Sequence, residues 1–149
     1  MKTYGVILAA GDSTRFGAEV NKLFYKVNGK ELVRYTVETF LENNEIDEVL
    51  LVSSKSNKSA LEKLLANQES VSIVDGGDSR QESEYFALQY LENKAKDNSL
   101  IVIHDAARSF MSSNLLTNLI NAAKEHGSAA PYLDTVSYTH LRAHETSDY

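Results

Sequence analysis

The chain has 149 residues, 42% of them hydrophobic, and a formal net charge of −6 at pH 7. This length suits one domain or a large piece of one, and the acidic balance argues against a general nucleic-acid-binding protein, so an anionic ligand would need local cations. The absence of cysteine excludes disulfides and thiolate metal sites, and no apolar run is long enough for a signal peptide or membrane span, so we expect a cytoplasmic protein that binds neither membrane nor nucleic acid.

Apolar runs alternate along the chain with segments of helical periodicity. In chain order they predict a strand at 6–10, a helix at 31–43, a strand at 48–53, a helix around 61–65, a strand at 71–74, a helix over about 80–95, a strand at 99–104, a helix around 115–123 and a strand at 128–132. This alternation predicts a Rossmann-like, doubly wound α/β fold, with a mostly parallel sheet and helices on both faces.

The later helical segments carry signals for their buried faces and ends. In the third helix, Tyr85, Leu88 and Leu91 recur at helical spacing with Phe86 beside them, which predicts the face that packs on the sheet. The fourth helix is preceded by serine and asparagine residues suited to an N-cap. Gly127 stands where this helix should stop.

The first segment that suggests chemistry follows the first strand. Residues 4–22 pass from an apolar run into a small polar loop that holds Gly11 and Gly17, with Arg15 and Lys22 as its cations. Backbone N–H groups and fixed cations at the carboxyl end of a parallel strand favour a polyphosphate ligand over a plain surface turn. The glycine spacing fits neither a P-loop nor a dinucleotide fingerprint, which disfavours a NAD-dependent dehydrogenase.

Two further clusters follow later strands. One holds Gly76 and Gly77, which permit positive φ and close approach of a flat ligand, beside residues that could simply cap the next helix. The other, at 104–108, places Asp105 at the end of a buried strand, where it could lie near Mg²⁺-bound phosphates or merely form a turn. His104 is expected to pack and not to act as a general base. Because the carboxyl ends of parallel strands share one edge, we expect all three clusters to meet in one cleft.

Together these motifs resemble the nucleotidyltransferases of the 2-C-methyl-D-erythritol 4-phosphate cytidylyltransferase family. The matching segments, in the family's order, are LAAGDSTRFG with Lys22, then VDGGDSRQES, HDAAR and AAPYLDT, and they cover residues 4–135. The resemblance implies a fold like that of nucleotide-diphospho-sugar transferases. It also implies transfer of a cytidylyl group from CTP to a sugar-alcohol phosphate in non-mevalonate isoprenoid synthesis, with release of pyrophosphate. Mg²⁺ as cofactor and a homodimeric parent enzyme are implied as well.

The resemblance also implies a role for each matching residue. Arg15 and Lys22 would stabilise the charge that builds on the α-phosphoryl group during in-line attack. The triphosphate would contact Ala9, Ala10 and Gly11, and cytosine would contact Gly77, Asp78 and Ser83. The ribose and the Mg²⁺-bound phosphates would lie by Asp105 and Ala106. The acceptor would contact Thr135. Asp105 is the one residue implied as a metal ligand, because the CTP phosphates would hold most of the Mg²⁺ coordination.

The chain departs from the family's usual pattern at three positions outside the quoted segments. Leu23 stands where glutamine is usual, and Glu31 and Ser109 each stand where proline is usual. Three alternatives stay open. A ribitol-5-phosphate cytidylyltransferase shares the motifs, a molybdenum-cofactor or NDP-sugar transferase would share the first motif, and the chain could be an inactive CTP-binding fragment.

The last residues do not continue the pattern. Residues 136–149 show neither strand alternation nor a helical stripe, and their His140, His144 and Glu145 lack the stable helix and further ligand that a zinc site needs. The segment resembles adaptor or other foreign sequence translated onto the broken end of a gene. We therefore expect a partial CTP-binding nucleotidyltransferase domain at 1–135, incomplete at its C-terminus, followed by a non-native or disordered tail at 136–149.

Overall fold

The structure is a computed structural model that describes residues 1–11 and 21–132. Arg15, Thr135 and the predicted tail at 136–149 lie outside the described residues. A short 3₁₀ helix covers Lys22–Phe24. The strands and α-helices follow in the order β1 (Thr3–Ala9), β2 (Lys26–Val27), β3 (Lys30–Glu31), α1 (Leu32–Leu41), β4 (Glu48–Ser53), α2 (Lys55–Leu64), β5 (Val71–Asp75), α3 (Arg80–Glu92), β6 (Leu100–Asp105) and α4 (Ser113–His126).

Four parallel strands form the central sheet in the order β5-β4-β1-β6. Strand β1 lies inside this sheet, and its Val6 and Ile7, which face opposite sides, are both fully buried. The chain builds outward from β1 through β4 to β5 and then crosses to β6 on the other side of β1. The strand order therefore reverses between β1 and β6, and the carboxyl ends of the strands at such a point are where open α/β sheets bind ligands.

Helices cover both faces of the sheet, which confirms the predicted fold class. On one face, α1, α2 and α4 contribute Phe40, Leu61 and Ile120 to the same buried cluster as Ile7 of β1. On the other face, α3 packs against Val6. No helix within residues 1–11 and 21–132 is both long and apolar enough to cross a bilayer.

Helix α3 buries a different face from the one predicted. Its buried residues are Ser83, Ala87 and Leu91, which recur every four residues. The prediction was right for Leu91 but wrong for the other large apolar side chains, because a serine and an alanine on the contact face let the helix backbone approach the sheet closely. Exposed instead are Tyr85, Phe86 and Leu88.

Two local features also differ from prediction. The predicted strand at 128–132 is wrong, because these residues are exposed and form no ladder, whereas Gly127 ends α4 as predicted, with φ of 86°. The antiparallel β2–β3 hairpin was not predicted. Its two-residue turn, Asn28 and Gly29, has φ of 51° and 78°, the left-handed conformation that tight hairpins require.

Candidate active site

Loops at the carboxyl ends of β1, β4, β5 and β6 surround one cleft of about 1170 Å³. The cleft lies at the sheet edge where the strand order reverses, so the described parts of the three predicted clusters do converge. The predicted site residues on its wall are Ala9, Ala10, Gly11, Lys22, Gly77, Asp78, Ser83 and Asp105.

Lys22 is held at the cleft by the short 3₁₀ helix. Asn21 caps this helix, since its Oδ1 accepts a hydrogen bond from the Leu23 N–H at 3.0 Å. Leu23 is 5% exposed and belongs to the same buried cluster as Val33 of α1. Leu23 therefore anchors the segment in the core while Lys22 beside it lines the cleft.

The loop between β5 and α3 is fixed from below by hydrogen bonds. The Gly76 N–H donates to the Ser53 carbonyl at 2.7 Å, which ties the loop to the end of β4. The Gly77 N–H donates to Ser83 Oγ at 3.1 Å, and that hydroxyl donates to the Ser79 carbonyl at 3.0 Å. Ser83 therefore lies at the cleft as predicted, but its hydroxyl already braces the loop in this structure. Its contact with cytosine stays a prediction.

A capping box begins α3 directly after this loop. Ser79 Oγ accepts from the Glu82 N–H at 3.1 Å, and Glu82 Oε2 accepts in return from the N–H groups of Ser79 and Asp78. This arrangement satisfies backbone donors that a helix start leaves open. The capping role considered for Ser79 is confirmed, while the Asp78 side chain stays on the cleft wall.

The two glycines of this loop are required by space and not by backbone conformation. Neither Gly76 nor Gly77 has a positive φ, so the backbone freedom that glycine permits is not used at either position. A Cβ at Gly76 would lie 2.6 Å from the Cβ of Ala10, and one at Gly77 would lie 2.2 Å from the Cβ of Glu82. Both distances are well inside van der Waals contact, so a side chain would push the loop out of place.

Asp105 ends β6 with both carboxylate oxygens in ion pairs. Arg80 Nη2 lies 3.2 Å from its Oδ1, and Arg108 Nε lies 3.1 Å from its Oδ2. Arg80 also contacts Glu84, with Nε 2.9 Å from Oε1. Asp105 is half-buried at the cleft, and its two arginine contacts hold the carboxylate in one orientation there.

Ala106 lies beneath the cleft and not on its wall. Its side chain is fully buried, and its N–H donates to the Leu8 carbonyl at 2.9 Å. Its carbonyl accepts from Thr36 Oγ1 at 2.9 Å and from Ser109 Oγ at 3.4 Å. Ala107 forms the wall instead. The structure thus gives Ala106 an anchoring position, and its contact with a ligand stays a prediction.

His104 packs under the same turn. Its Nε2 donates to the Arg108 carbonyl at 2.9 Å, since a carbonyl can only accept. Its ring centroid lies 5.7 Å from that of Phe40. These contacts match the packing role expected for His104 and help to fix the turn that carries Asp105.

Sequence reasoning missed a fourth part of the wall. Ser54, Lys55 and Ser56, where β4 passes into α2, line the cleft with the other three loops. The same rule that identified the other clusters, polar residues directly after a buried strand, applies to this segment and would have found it.

The cleft is more positive than the chain as a whole. Its described lining carries the cations Lys22, Lys55, Arg80 and Arg108 against two carboxylates, whereas the whole chain has a net charge of −6. A concave site lined by an excess of cations concentrates anionic ligands. The local cations that an anionic substrate would need are therefore present.

The described residues offer little of a metal cage. No group of three or more histidine, aspartate or glutamate side chains lies close enough within these residues to hold a metal ion. Mg²⁺ at nucleotide sites usually takes one or two protein carboxylates and completes its shell with phosphate oxygens and water. Asp105 on the cleft wall fits such a partial role.

The comparisons with known proteins agree in one family. The family model described as 2-C-methyl-D-erythritol 4-phosphate cytidylyltransferase matches residues 4–147. The enzyme of that name from Clostridium perfringens strain SM101 is 36% identical over 146 residues, which cover 94% of this chain and 63% of the relative. That from Petrotoga mobilis is 40% identical over 127 residues, covering 85% and 56%.

A solved structure gives the same result. The 4-diphosphocytidyl-2C-methyl-D-erythritol synthase of Anaerococcus prevotii superposes with a TM-score of 0.68 at 26% identity, over 83% of this chain and 51% of that one. The chain thus spans between half and two thirds of the length of these relatives. The matched family range includes all four quoted motifs and every predicted site residue. The chain belongs to the 2-C-methyl-D-erythritol 4-phosphate cytidylyltransferase family.

Proposed function

We propose that this chain is the nucleotide-binding part of a cytidylyltransferase that transfers CMP from CTP to 2-C-methyl-D-erythritol 4-phosphate and releases pyrophosphate. The observation that carries the proposal is the positive cleft where four strand-end loops meet, with Lys22, Asp78 and Asp105 among the residues that line it. A cytoplasmic, homodimeric parent enzyme is part of the same proposal and rests on the family resemblance.

In the proposed reaction, a phosphate oxygen of the acceptor attacks the α-phosphorus of CTP in line. The new P–O bond forms as the bond from the α-phosphorus to the α,β-bridging oxygen breaks, and pyrophosphate leaves with that electron pair. Negative charge builds on the phosphoryl oxygens, so fixed cations accelerate the step by electrostatic stabilisation. Lys22 on the cleft wall and Arg15, outside the described residues, are the proposed cations.

The backbone around the cleft suits the remaining parts of CTP. Gly11 follows β1 without a side chain, so its peptide can approach a triphosphate closely. The glycine-containing loop after β5 offers peptide groups and Asp78 to the edge of a base. Asp105 would lie by the ribose and could supply one oxygen to Mg²⁺, which when bound would neutralise phosphate charge.

The acceptor is the least supported part of the proposal. Thr135, the residue that the resemblance places by the acceptor, lies outside the described residues. The relatives and the solved structure reported above are named for methylerythritol substrates, which favours that acceptor over the ribitol phosphate alternative. A molybdenum-cofactor or NDP-sugar transferase is disfavoured for the same reason.

Calorimetric titration with CTP, GTP and ATP in the presence of Mg²⁺ tests the nucleotide part. We expect selective CTP binding, weakened by Lys22→Ala, with Lys26→Ala as the matched control on the β2–β3 hairpin, away from the cleft lining. Equal affinity for the three nucleotides, or binding of none by a chain with a folded circular-dichroism spectrum, would contradict the proposal.

Product analysis tests the transfer itself. Incubation with CTP and either methylerythritol phosphate or ribitol phosphate should release pyrophosphate with the first acceptor. In the parent-length enzyme, Lys22→Ala or Arg15→Ala should lower turnover by at least about a hundredfold and leave the fold intact. CTP binding without transfer to either acceptor would favour the alternative of an inactive CTP-binding fragment.

A further inference from the structure

An ion pair spans the cleft from one side of the sheet to the other. Arg80 follows β5 and Asp105 ends β6, and these are the two outer strands of the sheet. Three strand spacings of about 4.8 Å separate outer strands in such a sheet, roughly 14 Å in all. The contact of 3.2 Å between Arg80 Nη2 and Asp105 Oδ1 therefore joins loops that the sheet itself holds far apart.

Arg80 occupies a place in α3 that is electrostatically unfavourable for a cation. It is the first residue of α3, directly after the Ser79 cap, and a cation at a helix N-terminus is opposed by the helix dipole. Its planar guanidinium contacts Glu84 through Nε and Asp105 through Nη2. Glu84, four residues along the same helix, thus orients the guanidinium group so that its Nη2 reaches across the cleft to Asp105.

The link joins two parts of the cleft with different proposed roles. The loop after β5, next to Arg80, would bind the base, and Asp105 would lie by the ribose. Arg80 is separated from the Gly77–Asp78 peptide by the cap residue alone, and the capping box makes that segment one unit. Asp105 is fixed at the other end by Arg108. The Arg80–Asp105 contact is therefore a direct connection between the loop after β5 and the carboxylate at the end of β6.

We propose that Arg80 is a positioning residue that acts through Asp105 and sets the separation between the base-side loop and the ribose-side carboxylate. The proposal deepens the proposed function and rests on it. Arg80 and Asp105 have side chains 59% and 31% exposed, so the link lies in reach of solvent and of a ligand. Because pairs with this exposure add little to global stability, loss of the link should affect the site and not the fold.

A double-mutant cycle on the 149-residue chain tests the inference. Arg80→Gln should raise the CTP dissociation constant by about tenfold, the effect typical of removing a partner that orients a binding group, and Asp105→Asn should raise it at least as much, because it also alters the binding group itself. The double variant should bind no more weakly than the weaker-binding single variant, because both substitutions remove the same link. Arg34→Gln is the matched control, since Arg34 forms an exposed pair with Glu38 on α1, outside the cleft lining. It should bind CTP like the wild type.

Hydrogen exchange without ligand separates this inference from the function itself. In Arg80→Gln we expect faster amide exchange at 105–108, with a urea midpoint close to that of the wild type. Effects on CTP binding that multiply in the double variant, or an unchanged dissociation constant in Arg80→Gln, would overturn the role of Arg80 while leaving the proposed function standing. A wild-type chain that binds no CTP would defeat the proposed function. If amide exchange at 105–108 is the same in Arg80→Gln as in the wild type, the proposed link is overturned, even for a chain that binds no CTP.

Discussion

Replacement of Gly76 by alanine should destabilise the protein by overpacking the base of the cleft. The new Cβ would lie 2.6 Å from the Cβ of Ala10, 2.8 Å from Ser83 Oγ and 3.1 Å from Val52 Cγ1. Carbon atoms pack at about 3.5–4.0 Å, so the closest contact is about 1 Å too short. The loop has little freedom to retreat, because the Gly76 N–H donates to Ser53 at 2.7 Å. We expect a loss of about 1–3 kcal/mol in the free energy of unfolding, measured by urea titration.

Gly11→Ala is the matched control on the other side of the cleft. No atom of the described residues lies within 4 Å of the position its Cβ would take, and its φ is not positive, so the free energy of unfolding should change by less than about 0.5 kcal/mol. Combining Ala10→Gly with Gly76→Ala removes the closest overlap and should recover part of the loss. Equal stability of the two single glycine variants would refute the packing argument.

Three further predictions concern the supports of the site. Thr36→Val should lower the free energy of unfolding by about 1 kcal/mol, because it removes the buried hydroxyl that donates to the Ala106 carbonyl; Thr36→Ser should retain most of it. Ser79→Ala and Ser112→Ala each remove a helix cap and should each cost about 1 kcal/mol in urea titration, but only Ser79→Ala, at the cleft, should weaken CTP binding in calorimetry. Deletion of residues 136–149 should leave solubility and CTP affinity undiminished; loss of folding on deletion would show that the segment belongs to the domain.

The sheet could be predicted from the sequence because its strands carry an unambiguous signal. Residues 48–53 form a continuous aliphatic and β-branched run, and the structure has a strand with the same bounds. Carboxyl ends of parallel strands meet at one edge, so the order of the clusters in the chain was enough to predict their meeting in space. No distance or contact was needed for that step.

Helix α3 shows where such reasoning fails. Large apolar side chains at 85 and 88 suggested its buried face, yet the helix packs through Ser83 and Ala87. Periodicity ranks faces by hydrophobicity, whereas close approach of a helix to a sheet also depends on side-chain volume. Here the serine hydroxyl serves a further purpose, since it accepts from the Gly77 N–H, and no periodicity scale weighs that contact.

The misread glycines have a similar cause. A glycine pair after a strand suggested positive φ, because that is the conformational freedom glycine is known for. At Gly76 and Gly77 the cause is instead a neighbour occupying the space of a side chain, and such neighbours come from distant parts of the chain. The reverse happened at Asn28–Gly29, where a local turn signal sufficient to predict the hairpin was not used.

Three of the loops around the cleft separate the residue offered to a ligand from the residue that holds the loop. Lys22 lies above the buried Leu23, Asp105 lies next to the buried Ala106, and Gly77 lies over the buried hydroxyl of Ser83. The supporting residues are in the core, so their replacement should change stability and binding together. Residues on the wall, such as Lys22 and Asp105, carry charge at partly exposed positions, and exposed ion pairs contribute little to folding. Variants of the wall should therefore lose binding at nearly constant stability. Measuring CTP affinity and the free energy of unfolding on the same variant thus distinguishes a residue that contacts the ligand from one that only supports the loop.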